Sequence, residues 1–226
     1  MYIPKHFAEP RVDVLHELMR ARPLATLVTM ASGGLDANHI PLHLSLDSAL
    51  PESPATLGTL RGHVARANPL WKDFIREVEV LAVFHGPDSY ITPNWYPTKL
   101  ETGKAVPTWN FAVAHAYGPL RIIDDPHWLR AHLDTLTASQ ESRFDLPWQV
   151  SDAPADYISN MIKAVVGIEI VITRLSGKWK LSQNQPVQNQ AGVIAGLRAQ
   201  NDQGDEGNTR ALEMAKWVGT AGGTRP

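Results

Sequence analysis

Apolar and polar positions recur along this chain with two periods, and the switches between them lay out its elements. From Glu9 to Ala21, Val12, Leu15, Leu18 and Met19 share one helical face; Pro10 suits a first turn and Pro23 follows the end. Leu24 to Ala31 is rich in strand formers, and Ser32-Gly33-Gly34 reads as a hairpin turn. In the return strand, Leu35 to Leu46, residues Ile40, Leu42, Leu44 and Leu46 point one way, and His39, Pro41, His43 and Ser45 the other. Pro41 cannot donate to a ladder, which assigns this strand to an edge or a bulge.

Asp47 to Pro54 is a Pro/Ser loop, and a strand is expected from Ala55 to Arg61. Gly62 to Pro69 then leads into a short helix, Leu70 to Arg76. Val78 to Phe84 reads as a buried strand, and His85 to Thr98 as a Gly/Pro-rich loop carrying Tyr90, Trp95 and Tyr96. Val106 to Tyr117 is a long strand with Trp109, Phe111, Val113, His115 and Tyr117 on one face; Leu120 to Ile123 continues it. Asp124-Asp125-Pro126 offers a carboxylate cap followed by proline, ahead of a helix with Trp128, Leu129, Leu133 and Leu136 on its apolar face. Glu141 to Asp152 reads as a loop and Ala155 to Lys163 as a short helix. Val165 to Leu175 and Lys178 to Ser182 read as a hairpin, followed by a helix from Val187 to Ala199. Asn201 to Asn208 reads as a linker, Thr209 to Val218 as a last helix, and Gly219 onward as a loose tail. Six or seven strands in hairpins with flanking helices define a mainly β, α+β chain, an antiparallel barrel or sandwich. Residues 1–200 are expected to form one domain, with 201–226 appended to it.

Composition narrows the chemistry. The 226 residues include no cysteine, which excludes disulfides, thiolate metal sites and a cysteine nucleophile. Hydrophobic content of 43% against 19% charged residues describes a globular chain, and no apolar run approaches the length of a membrane span. Met1 to Pro10 lacks a secretory pattern, so a cytoplasmic protein is expected. With 21 basic against 23 acidic residues, the balance of −2 gives DNA binding no support, and no basic run exceeds two residues. No helix-turn-helix is visible either.

Candidate chemistry follows from the nine His and seven Trp and from donor-rich strand ends. His39 and His43 lie on one strand face about 13 Å apart, too far for a shared ion, so no metal site is expected. There is no G-x-S-x-G elbow and no Gly-rich phosphate loop. Arg61, His63, Arg66 and Asn68 fall where a strand gives way to a helix, a setting that attracts anions. Lys178, Lys180 and Ser182 share a strand face, a row of donors suited to phosphate. Taken singly, each stretch is better explained as basic residues at strand ends and tryptophans in a core.

Five ordered motifs carry a resemblance. Ala37-Asn38-His39-Ile40-Pro41, Gly62-His63-Val64-Ala65-Arg66-Ala67-Asn68-Pro69, Ser89-Tyr90-Ile91-Thr92-Pro93-Asn94-Trp95-Tyr96, Val106-Pro107-Thr108-Trp109-Asn110 and Lys180-Leu181-Ser182-Gln183-Asn184 together resemble the PaiB family. The opening Met1-Tyr2-Ile3-Pro4-Lys5-His6-Phe7 is similar to that family's start, and the likeness extends to about residue 200. The family comprises FMN-binding proteins described as negative transcriptional regulators. The resemblance implies a split β-barrel of the pyridoxamine-phosphate-oxidase-like type, a homodimer, and FMN in a cleft between subunits. It implies His63, Arg66 and Asn68 near the phosphate, with Lys180, Ser182 and Gln183 completing that site. It implies His39, Ile40 and Pro41, with Tyr90, Trp95, Trp109 and Asn110, around the flavin ring. It names no catalytic residue. The expected function is an FMN-binding regulator acting directly or through a partner. The alternatives are an FMN-dependent oxidoreductase using a nicotinamide or small organic substrate, and a haem-binding split barrel.

Overall fold

In the computed structural model, which describes residues 1–46, 57–202 and 209–221, the chain forms ten strands and six α-helices among those residues. In chain order these are β1 (Ala8–Glu9), α1 (Val12–Ala21), β2 (Leu24–Ala31), β3 (Gly34–Pro41), β4 (His43–Ser45), β5 (Thr59–Ala65), β6 (Val80–Ile91), α2 (Thr98–Thr102) and β7 (Thr108–Gly118). Then follow β8 (Leu120–Ile123), α3 (Pro126–Glu141), α4 (Ala155–Lys163), β9 (Val165–Val171), β10 (Arg174–Lys180), α5 (Val187–Asp202) and α6 (Thr209–Ala221). The fold is α+β with antiparallel sheets, as the alternation along the chain implies. The segments expected as a Pro/Ser loop at 47–54, as the linker and as the end of the tail lie wholly or largely outside the described residues.

The chain divides into two compact units. A central unit comprises His16–Phe84 and His115–Leu175; a terminal unit comprises Met1–Leu15, His85–Ala114 and the chain from Ser176. β6 and β7 each run from one unit into the other. Within the central unit, β6, β2 and β3 are neighbours in that order, and a second sheet has the order β4-β5-β9-β8. Strand β9, VVGIEIV, pairs with β5 on one side and β8 on the other and packs against α3 and α4, and it is buried along nearly its whole length. Helices α3 and α4 close an apolar cluster of Leu129, Val150, Ile158 and Ile162 with Trp128 and Val165 against it. Gly167 is required there: a Cβ would lie 2.5 Å from the Trp128 ring. Within the terminal unit, β1, β10, β7 and β6 are neighbours in order, and α5 and α6 pack together, burying Met214 and Val218. Trp217 of α6 meets Trp179 with ring centroids 5.8 Å apart.

Several elements differ from the pattern read in the sequence, each for a physical reason. α1 starts at Val12 because Ala8 and Glu9 pair with Lys178 and Gly177, and the Glu9 carboxylate accepts from the backbone and guanidinium of Arg11. The return strand breaks after Pro41: β3 pairs with β2 and β4 with β5, and Leu42 N donates to Pro23 O. Pro41 nevertheless ends an edge strand, as its missing donor requires. β5 runs on through His63 to Ala65 because β9 supplies partners over its full length. The helix expected at 70–76 is one 3₁₀ turn, Pro69–Trp71, since Ile75 N bonds Met30 O instead of continuing it. β6 extends to Ile91, so Tyr90 is a strand residue and not a loop one. β9 and β10 join different sheets and make no hairpin. The cap before α3 is as expected: Asp125 accepts from His127 N at 2.8 Å, with Pro126 next.

Candidate functional site

In the central unit the register of three strand pairs builds one polar row. His43 lies opposite Arg61, Arg61 opposite Glu169, and Glu169 opposite Arg121. Directly opposed residues share a face, so the four stand side by side across β4, β5, β9 and β8. The Glu169 carboxylate, 5% exposed, accepts from Arg61 Nε at 3.2 Å and from Arg121 Nη1 at 3.1 Å. One step along, His63 lies opposite Gly167, and the open space over that glycine admits Trp128 of α3. Trp128 stacks on His132, with centroids 5.2 Å apart, and His132 Nε2 meets His63 Nδ1 at 3.2 Å. Burial pulls both imidazoles below their ordinary range. For His132 the pull is to about 4, with His63, His43 and Arg61 adding to burial.

The other sequence-derived candidates of this unit are held by their own neighbours. Arg66 grips Asp124 with two parallel bonds of 2.6 and 2.9 Å, and donates to Lys163 O and Val165 O as well. That pair holds the Asp124 carboxyl below its ordinary range. Asn68 caps the 3₁₀ turn at Leu70 N and donates to Asn38 Oδ1. His39 Nδ1 meets Thr26 Oγ1 at 3.2 Å, Ile40 is buried in the core, and Pro41 is exposed.

The terminal unit is different in kind. Tyr90 and Trp109 meet edge to face on neighbouring strands β6 and β7, 5.9 Å between centroids, and remain 46% and 55% exposed. Lys180, at the end of β10, donates from Nζ to Thr108 Oγ1 and to Trp109 O. Burial, and Lys178 two residues away, pull its ammonium below the ordinary range. No carboxylate among the described residues pairs with it. Beyond the strand, Ser182 takes a left-handed backbone, φ 63°, instead of the strand face expected of it. That turn buries its hydroxyl against the Asn110 amide at 2.9 Å. Gln183 closes the turn, accepting from Leu181 N and donating to Trp179 O. Trp95 sits on α5, where a Cβ on Gly196 would lie 2.3 Å from its ring.

The structure thus joins Tyr90, Trp109 and Lys180, and joins Asn110 to Ser182. It keeps His63 with His132, and leaves Arg66, Asn68 and Trp95 with local partners. Glu169, Arg121, Trp128 and His132 escaped the sequence reading. One signal was present: a single Glu inside the otherwise apolar VVGIEIV.

Comparison with known proteins sets the class. A protein of Mycobacterium smegmatis described as FAD and heme binding superposes with a TM-score of 0.53 at 14% identity, over 84% of this chain and 80% of its own. The fold is that of the split-barrel, pyridoxamine-phosphate-oxidase-like flavoproteins. A family model described as "Putative FMN-binding domain" matches residues 1–174; the chain belongs to that family, and FMN is its cofactor. An uncharacterized protein of Emericella nidulans is 37% identical over 87% of this chain and 90% of its own length. The protease synthase and sporulation protein PAI 2 of Bacillus subtilis is 28% identical over 96% and 95%.

The residues of the terminal unit fit such a cofactor. Tyr90 and Trp109 stand at 71° to one another and are half exposed, so one of them can stack on a flat ring system while the other meets its edge. A lysine held only by neutral oxygens keeps its charge available to a phosphate.

Proposed function

We propose that this chain is a flavin-dependent regulatory protein that acts through a partner. Tyr90 and Trp109 would hold the flavin ring, and Lys180 would hold its phosphate. The observation that supports the site is the exposed Tyr90–Trp109 pair beside a lysine with no carboxylate. The regulatory part rests on likeness to PAI 2, whose name ties that protein to protease synthesis and sporulation. Bound FMN supplies hydride and single-electron exchange. The chain's own groups bind and orient it: one of the two rings covers a face, the other packs at its edge, and Lys180 Nζ offers a hydrogen bond to an anion. Asn110 and Ser182, paired and buried, hold the backbone that carries Lys180 and Trp109 in register.

A homodimer and a cytoplasmic location belong to the same reading. Leu24 and Leu35, at the β2–β3 edge, are exposed, and an open edge with apolar side chains favours cover by a second copy. No helix among the described residues is long and apolar enough to cross a membrane. With a net charge of −2, direct DNA binding is expected to be weak and salt-sensitive.

A second reading, an FMN oxidoreductase, is favoured by the lowered proton affinity of Lys180, which suits a proton donor near a redox ring. The purified protein's absorbance spectrum tests the cofactor, and NAD(P)H consumption tests the second reading. Flavin bands without steady turnover support a regulator. Sustained turnover supports the enzyme. A Soret band without flavin bands would replace both with haem binding.

A further inference from the structure

The central unit contains a pocket of about 140 Å³ lined by His43, Arg61, Trp128, Ala131, His132 and Thr135. It opens between the outer face of β4 and β5 and the first turns of α3. None of the six lining residues is among the candidates for flavin contact.

Its chemistry is of one kind. Glu169 offers a single negative charge to two guanidiniums, so Arg61, Arg121 and Glu169 together keep one net positive charge. Arg61 spends only Nε on the carboxylate; its two terminal amino groups carry no hydrogen bond to a described residue. A guanidinium with both terminal groups open is a two-pronged donor for a planar oxyanion. The same pocket is lined by the Trp128 ring, which stacks on His132, and by the Ala131 methyl. Thr135 also lines the pocket, its hydroxyl donating to the Ala131 carbonyl and keeping its lone pairs as acceptors. The volume matches the roughly 150 Å³ of a cavity that accepts a single benzene ring. A cation, an aromatic ring and space for one ring, lining one pocket, describe a receptor for a small planar acid.

We propose that this pocket is a binding site for a small aromatic or similarly flat carboxylic acid, with its carboxylate on Arg61 and its body against Trp128. Phosphate alone would leave the Trp128 wall unused, and an uncharged ring would leave Arg61 unanswered.

Calorimetric titration of the full chain, loaded with FMN, tests the proposal, with benzoate, benzamide and inorganic phosphate as separate probes. One benzoate is expected to bind per chain, at least about tenfold more tightly than benzamide or phosphate. Arg61→Gln is expected to weaken benzoate at least about tenfold, leaving benzamide unchanged. Because Arg61→Gln also disturbs the Glu169 pair, Ala131→Leu provides an independent variant. It places a good helix former at an exposed helical position and fills the pocket. It is expected to abolish benzoate binding with the flavin spectrum and melting temperature intact. The proposal is overturned by benzoate heat that survives Ala131→Leu, by equal affinity for benzoate and benzamide, by preference for phosphate, or by no binding at about 10 mM. It is also overturned if FMN, but not riboflavin, displaces benzoate from flavin-free protein, since the pocket would then be the seat of the flavin phosphate.

Discussion

Arg66 and Lys180 are both basic residues of the motifs shared with the PaiB family, yet the fold treats them in opposite ways. Arg66, in the central unit, is clasped by Asp124 and two backbone carbonyls, so an incoming phosphate would have to displace a carboxylate. Lys180, in the terminal unit, faces a hydroxyl, a carbonyl and another lysine, and its charge is unanswered by any described carboxylate. The same contrast separates Trp128 from the Tyr90–Trp109 pair. In the central unit Trp128 lies over Gly167 with His132 stacked on it; in the terminal unit Tyr90 and Trp109 stay half exposed. A basic or aromatic residue marks a binding site when folding leaves its interaction unmet, not merely when a motif contains it. The pocket beside Arg61 departs from this pattern inside the central unit, because two guanidiniums share a single carboxylate there.

If the central unit is organised by internal charge pairing, removing its shared anion has the largest effect. Glu169→Ala is expected to cost about 3 kcal/mol, the low end for a broken buried pair because both arginines reach solvent. Urea unfolding measures it. A loss below about 1 kcal/mol would mean that the row is ornamental and the contrast between the units false.

Next comes acid. His132 is neutral in the fold, its pKa drawn down to about 4, whereas in the unfolded chain it titrates at its ordinary value of 6.5. Between those values the unfolded chain binds the extra proton. The stabilisation is therefore whole above 6.5 and is lost as pH falls toward 4. By pH 5 the loss is about 2 kcal/mol, at about 1.4 kcal/mol per unit. His63, displaced in the same direction, adds to it. His132→Phe keeps a ring on Trp128 and removes the proton site, so its stability should be flatter between pH 7 and 5. Parallel losses in wild type and variant would assign the acid sensitivity elsewhere.

How much of this could be read from the sequence depends on how far apart the interacting residues are. β2, β8, α4 and the Asp125 cap follow from neighbouring residues, and the chain alone locates them. The motifs likewise name Tyr90, Trp109 and Lys180 as ring and phosphate candidates through the resemblance, and the exposure of the two rings agrees with that expectation. The fate of Arg66 was not legible, because Asp124 lies 58 residues away. Nor was the row at Glu169, which needs the register of β5 and β8 on β9. Gly86 and Pro87 suggested a loop where β6 in fact continues to Ile91, since pairing in a sheet overrides local turn preference.

Lys180→Met tests the terminal side of the contrast. It keeps the length of the side chain and removes the charge. FMN should bind about tenfold more weakly, about 1.4 kcal/mol, the modest value suited to a group that solvent reaches. Riboflavin, which lacks the phosphate, should lose less than about threefold. Equal losses for the two ligands would move Lys180 from the phosphate to the ring.

The smallest effect is expected where the motif alone would predict a large one. Arg66→Ala removes a guanidinium whose hydrogen bonds all go to Asp124 and to the carbonyls of Lys163 and Val165. With its charge already met by Asp124 and only one Nη1 N–H left over, its loss should change FMN affinity by less than about threefold. The variant does free Asp124, placing a carboxylate with no cation at the start of α3, so a second substitution is needed to read the result cleanly. Asp124→Asn alone should release Arg66 from its partner while keeping the guanidinium. If Arg66 is idle because it is paired, Asp124→Asn should tighten FMN or leave it unchanged, and the double variant should match Arg66→Ala. If instead Arg66→Ala alone weakens FMN tenfold while riboflavin is unaffected, Arg66 leaves Asp124 to meet the phosphate. The two units would then supply cations alike, and the contrast drawn from their ion pairs would fail.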